Sequence, residues 1–135
     1  MGRPYRARDA SKLSKAILER GVQAEAMTLN DYRRSLKERD KRRATFHKLA
    51  AEFDACITLT APGAAPIGLG WTGDSIFVVP GSMLGVPAIT LPVLQDGGLP
   101  LGLQLLGFAD RDAALFSIAG GVLAVLKASQ GYQSD

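Results

Sequence analysis

The side chains able to do bond-making chemistry are few in this sequence. His47 is the only histidine and Cys56 the only cysteine. His47 stands among charged residues, and no Asp or Glu is placed by spacing to orient it, so it reads as a surface histidine on a helix. A catalytic triad would need a partner for each ring nitrogen. Cys56 falls inside the apolar run Ala55-Cys56-Ile57-Thr58-Leu59-Thr60. That context suits a buried structural thiol, because a reactive one needs a charged, open setting. Gly81-Ser82-Met83-Leu84-Gly85 is superficially a nucleophile elbow, but the motif needs a Gly two residues before the Ser, and that place is Pro80. Gly68-Leu69-Gly70 lacks both the lysine of a phosphate loop and the third glycine of a dinucleotide fingerprint. No group of Cys, His and carboxylates has metal-ligand spacing, so no metal and no cofactor is expected.

The other chemical feature is charge. Most of the basic residues lie before Glu52, and Lys41-Arg42-Arg43 stand in a row with Tyr32 and Phe46 flanking the basic stretch. Phosphate binding is conceivable from such a pattern. However, Asp31, Glu38 and Asp40 are interleaved, and the formal charge of the whole chain is only +3. A solvated amphipathic helix is the simpler reading, and no nucleic-acid partner is expected. A single cysteine excludes an internal disulfide and agrees with a reducing, cytoplasmic compartment. No apolar run is expected to reach the roughly 18 residues that span a bilayer. The opening Met1-Gly2-Arg3-Pro4-Tyr5-Arg6 has no apolar segment after it and does not read as a signal peptide.

The elements that position these residues follow from periodicity. Leu13, Ile17 and Leu18 predict a short helix over about 9–20 that ends near Gly21. Thr28 and Asp31 form a capping box in its acidic variant. After it, Tyr32, Leu36, Phe46, Ala50 and Phe53 share a stripe, with Arg39 and Arg43 in its middle. This predicts one helix from about 29 to 53 whose middle is partly solvated. Three apolar strands are expected at 55–60, 86–92 and 101–107, with prolines at the ends of the second. Asp96-Gly97-Gly98 predicts a hairpin between the last two. Residues 61–75, rich in Gly and Pro, read as loop. A last helix over 110–127, capped by Asp110 or Asp112, carries the stripe Leu115, Ile118, Ala119, Val122 and Leu126. Gly120-Gly121 within it predicts a tight packing contact or a local break, since each Gly costs about 1 kcal/mol relative to Ala there. The last few residues read as a disordered tail. Strands this apolar need cover on both faces, and the few helices present cannot supply it all.

Several phrases in order carry a resemblance. Phe53-Asp54-Ala55-Cys56-Ile57-Thr58-Leu59-Thr60-Ala61-Pro62 comes first, then Trp71-Thr72-Gly73-Asp74-Ser75-Ile76-Phe77. Leu84-Gly85-Val86-Pro87-Ala88-Ile89-Thr90-Leu91-Pro92 and Gly98-Leu99-Pro100-Leu101-Gly102-Leu103-Gln104-Leu105-Leu106-Gly107 complete the series. The succession resembles the C-terminal part of the amidase signature family, which includes bacterial amidases and amidotransferase A subunits. The resemblance covers nearly the whole chain and implies an α/β fold. Its expected form is a C-terminal portion with two or three helices flanking a small mixed sheet of about three strands, plus a long Gly/Pro-rich loop. One partial domain spans 1–135: a helical lead-in over 9–53, strands and pocket loop over 54–107, and a C-terminal helix over 110–127.

The family's lysine and two serines lie in a Gly/Ser-rich signature upstream of the part resembled, and no such run occurs in this sequence. No catalytic residue carries over, so the chain alone is expected to be inactive. What the resemblance implies is a pocket wall made by Trp71, Thr72, Asp74 and Phe77, with a small amide as substrate only where a full site is assembled. An N-terminal amidase half, or a second copy of the chain, is the implied partner. A different class of reading is an interaction module that binds through an open sheet edge. The sequence departs from the family at Pro80-Gly81-Ser82 and at Gly120-Gly121.

Overall fold

The computed structural model describes residues 9–131. The expectations for the first six residues and for a disordered tail therefore lie outside the described residues. The chain divides into two compact units, Met1–Glu38 and Arg39–Asp135.

The first unit is helical. Asp9 caps a short 3-10 turn, Ala10–Lys12, by accepting from the Ser11 amide at 3.1 Å. Helix α1 is Lys15–Ala26, and its N-cap Ser14 accepts from the Ile17 amide. The expected end at Gly21 is overturned, for the helix runs through it. A glycine costs only about 1 kcal/mol in a helix interior, and the good helix formers Gln23, Ala24, Glu25 and Ala26 follow. Helix α2, Leu29–Lys48, starts in this unit and continues into the next. Its capping box is present. The Asp31 amide donates to Thr28 Oγ1 at 3.1 Å, and the Thr28 amide donates to Asp31 Oδ2 at 3.2 Å. No residue of α1 or α2 is buried. The long helix stops short of residue 53 because its end tightens into a 3-10 turn, Leu49–Ala51, a frequent way of ending a helix.

The second unit holds the sheet. Strands β1 (Cys56–Leu59), β2 (Ala88–Asp96) and β3 (Leu99–Leu106) lie in the order β1-β3-β2. The hairpin is as expected, turning at Gly97 and Gly98, both at positive φ. The sheet is antiparallel in both ladders rather than mixed. β1 and β2 run the same way, but β3 lies between them, so no parallel pair forms. Pro92 does not end its strand. It sits within β2, at a register irregularity between Leu91 and Leu94. An edge strand tolerates a residue without an N–H at such a bulge.

Two further helices belong to this unit. The shorter, α3 (Val79–Leu84), was not anticipated; it has Pro80 in its first turn and ends on Gly85 in the left-handed region at φ 69°. Both are ordinary helix boundary signals. Arg43, expected in a solvated middle of the long helix, instead reaches the end of α3. Its Nε donates to the Met83 carbonyl at 2.9 Å. A cation at a helix C-terminus is favourably placed toward the orphan carbonyls. Three residues on, Phe46 stacks at 5.4 Å on Phe108, which is 1% exposed.

The longer helix, α4 (Asp112–Gly131), packs on β2 and β3. Leu91, Leu105, Leu115 and Ala119 form the core, with Ile89, Val93, Leu103 and Val122 around them. The strands are not buried on both faces within this chain: Ile57 is 63% exposed and Leu99 is 46% exposed. Gly120 and Gly121 mark neither a close contact nor a break. A Cβ at either would meet nothing within 4 Å, and the helix continues through both. The expectation about apolar length also needs correction. Residues Asp112–Ser129 are long and apolar enough to cross a membrane by length and composition, with a mean hydropathy of 1.5, although the core helix of a soluble fold passes the same test.

Two outcomes are expected from this architecture. Gly102 is the closest crossing in the sheet: a Cβ there would stand 2.5 Å from Thr60 Oγ1 and 2.6 Å from Thr90 Cγ2. Gly102→Ala should destabilise the fold by about 1–3 kcal/mol, read by urea unfolding, and an unchanged midpoint would contradict the crossing. At the start of α2, the Thr28 hydroxyl and amide, with Arg34, hold the Asp31 carboxyl below its ordinary value of 3.8. A lowered folded pKa stabilises above that value and is lost as pH falls through it. Helix-start amides at Thr28 and Asp31 should therefore lose exchange protection on acidification below about pH 4. Asp31→Ala should remove that pH dependence.

Candidate functional site

The Gly/Pro-rich loop is built onto the sheet by a few specific bonds. Thr60 continues β1, and both its amide and its hydroxyl donate to the Gly102 carbonyl at 3.0 Å. Asp96, at the end of β2, accepts from the Ala64 amide through Oδ2 at 2.7 Å. Gly63 comes so close that a Cβ there would lie 2.8 Å from the same oxygen. The chain is thus held against the hairpin before it runs outward to Ile67 and Leu69, both fully exposed. It returns through Trp71 to Asp74, whose Oδ1 accepts from the Ile76 amide at 3.0 Å. That bond is the local turn geometry an Asp commonly makes.

Between the loop and the sheet lies an open cleft of ≈ 570 Å³. Trp71, Thr72 and Asp74 line it, together with Thr60, Asp96 and Gly102. Three of the four residues singled out from the sequence are therefore brought together. Phe77 is not among the lining residues. Its side chain is half-buried and its carbonyl accepts from Gln104 Nε2 at 2.9 Å. Gln104 is 3% exposed, the one buried polar side chain of the described residues. Sequence reasoning passed over it, although a lone Gln inside Leu101–Leu106 was the available signal. A buried amide in an apolar strand needs a partner, and this one ties the segment after the loop to β3.

The polar groups of the cleft are hydroxyls and carboxylates with an exposed indole beside them. They can bind and orient a polar molecule. The Thr60 hydroxyl donates to the Gly102 carbonyl, and Asp74 and Asp96 accept from backbone amides; no serine, cysteine, histidine or lysine lines the cleft. Ser82 lies exposed on α3 and does not line the cleft. Cys56 is half-buried in β1. His47 lines a second, smaller concavity of ≈ 310 Å³ with Arg43, Phe46, Leu84 and Phe108, and no carboxylate, serine or cysteine shares it. Among the described residues no group of three His, Cys, Asp or Glu gathers in a way that would hold a metal ion.

No family model matches the chain. Over 96 residues it is 38% identical to the A subunit of glutamyl-tRNA(Gln) amidotransferase from Clostridium botulinum (strain Eklund 17B / Type B), covering 65% of this chain and 20% of that protein. The corresponding protein of Clostridium acetobutylicum is 36% identical over 95 residues. The chain thus spans about a fifth of the length of the curated relatives it matches. Among solved structures, a crystal structure of an amidase superposes on 91% of this chain and 31% of its own, with a TM-score of 0.80 and 27% identity. The crystal structure of the Thermotoga maritima glutamyl-tRNA(Gln) amidotransferase A subunit shares the fold at a TM-score of 0.58, with 24% identity over 78% of this chain and 26% of that one. By sequence and by fold together, the chain is similar to the C-terminal part of amidase signature proteins, of which it matches only a segment.

Proposed function

We propose that this segment forms one wall of an amide-hydrolase site and does no amide chemistry alone. The observation that carries the reading is the cleft itself. Trp71, Thr72 and Asp74 line it, and no serine, cysteine, histidine or lysine is among its lining residues. A wall of this kind supplies binding and orientation, while bond cleavage needs an activated nucleophile from elsewhere. In this reading the lysine and two serines of the family come from sequence beyond these 135 residues, and the substrate is a small amide. The relatives named above are tRNA-linked amidotransferase subunits and an amidase, which favours C–N hydrolysis of an amide as the reaction. Phe77 then acts through its backbone, as the point where Gln104 holds the segment after the loop. A cytoplasmic setting agrees with the lone thiol of Cys56.

A second reading, an interaction module, is favoured by one observation: among the described residues the outer edges of β1 and β2 pair with no further strand, and Ile57 and Leu99 are exposed on the strands. The two readings agree on how the chain behaves alone. Exposed apolar side chains next to an open strand edge favour association. Sedimentation of the chain at micromolar concentration should show self-association, and a compact monomer with a cooperative melt and no dye-binding surface would contradict this.

Assays against simple aliphatic and aromatic amides should give no turnover with the chain alone. Activity that survives purification and vanishes on Ser82→Ala would overturn the wall reading. Once an active assembly containing the chain is in hand, Asp74→Asn should raise KM more than it lowers kcat, as loss of uniform binding does. If neither constant moves, Asp74 does no more than make its turn to Ile76.

A further inference from the structure

The two edges of the sheet are built differently. The β2 edge carries Pro92 and a register irregularity between Leu91 and Leu94. A missing N–H and a bulge both blunt an edge against further pairing. Helix α4 lies on this side, and Leu91 beneath it is only 8% exposed. The β1 edge has none of these devices. Cys56-Ile57-Thr58-Leu59 contains no proline, glycine or charge, and its register with β3 is unbroken.

Cover over the sheet fails at the same place. Ile57 and Ile89 both pair with Leu105, from opposite sides, so the three residues form one row across the sheet. Residues in such a row point to the same face. Leu105 is fully buried and Ile89 is partly buried, both in the core under α4. Ile57 is 63% exposed, and Phe53 just before the strand is 55% exposed. An apolar row that continues past the covering helix leaves Ile57 bare, and an edge with no charge, proline or bulge beside it is open to a further strand.

We propose that the outer edge of β1, with the bare surface at Ile57, docks the part of an amidase-type chain that this segment does not match. That part adds a strand beside β1 and lays an apolar helix or loop over Ile57. The occupant follows from the match to the solved amidase: a TM-score of 0.80 over 91% of this chain accounts for only 31% of that one. More than two-thirds of that fold therefore lies outside the match. Pairing by strand addition draws affinity from main-chain hydrogen bonds and specificity from alternate side chains. This assignment rests on the wall reading above.

The test co-expresses the full 135-residue chain with the portion of the Clostridium botulinum relative that precedes the matched region. Amide hydrogen exchange and amide turnover are both measured. The complex should be equimolar, with new protection at the outward-facing amides of Ile57 and Leu59 and none along the outer edge of β2. Ile57→Lys, at an exposed position, should leave the melt of the chain unchanged and weaken the complex roughly tenfold or more. Gln95→Lys, at an exposed position on β2, should change neither the melt nor the affinity. Protection along β2, or an Ile57→Lys chain that binds as the unaltered one does, overturns the assignment. So does β1 protection in the chain alone that the added portion fails to displace, which would make a second copy the occupant. A complex that hydrolyses amides without β1 protection sinks the docking edge and keeps the wall reading. A complex with β1 protection but no turnover sinks the wall reading and keeps the edge. Failure to form any complex sinks both.

Discussion

The second unit depends on β3. Among the described residues it is the one strand paired on both sides, and its two faces carry different loads. Leu103 and Leu105 turn toward α4 and build the apolar core. Gly102, Gln104 and Leu106 alternate to the other face. There Gly102 admits Thr60 and Thr90, and Gln104 holds the Phe77 carbonyl. Leu106 lies against Gly81 of α3, where a Cβ would come within 3.2 Å. One strand thus supplies the core on one side and fixes the cleft loop and α3 on the other. Because side chains alternate at a period of two, a register slip of one residue would exchange these loads entirely. Leu105 would leave the core, and Gln104 would enter it without a partner.

That division explains what the sequence made legible. The strands, the hairpin turn at Gly97-Gly98 and the capping box of Thr28 and Asp31 rest on signals a few residues long, and each is found close to its expected place. Errors came where a local signal competes with a neighbour. Gly21 is punctuation by itself, but the helix formers after it carry α1 onward. Pro92 signals a strand end, but on an edge strand it makes a bulge instead. The fold class and the family segment were accessible for another reason: several short phrases stood in a fixed order, and order is far more specific than any one phrase.

The site was less legible because its geometry is long-range. Trp71, Thr72 and Asp74 are neighbours in sequence, and the loop that carries them was readable from its Gly and Pro content. What holds that loop was not. Asp96 reaches back 32 residues to the Ala64 amide, and Gln104 reaches back 27 residues to Phe77. Arg43 reaches forward 40 residues to Met83. No periodicity encodes such pairs. Gln104 in an apolar strand and Arg43 on a largely apolar helix stripe are out of keeping with their surroundings, and that is the trace such contacts leave in a sequence; Asp96, at a hairpin turn, leaves none.

The Arg43 contact shows how closely these pairs constrain their neighbours. Its guanidinium lies where a Cβ on Gly85 would come within 2.8 Å of Nη2. Gly85 is therefore required twice over, by its left-handed φ of 69° and by the space the guanidinium takes. Helix α3 can end there only because both conditions are met, and Val86 can then turn the chain into β2. The phrase Leu84-Gly85-Val86-Pro87 is thus more than a family fingerprint. It is the residue-level solution to ending a six-residue helix against an arginine and starting an edge strand within four residues. A larger residue in place of Gly85 would push Arg43 from the Met83 carbonyl, and would disturb the lining it shares with Phe46 and Phe108 as well.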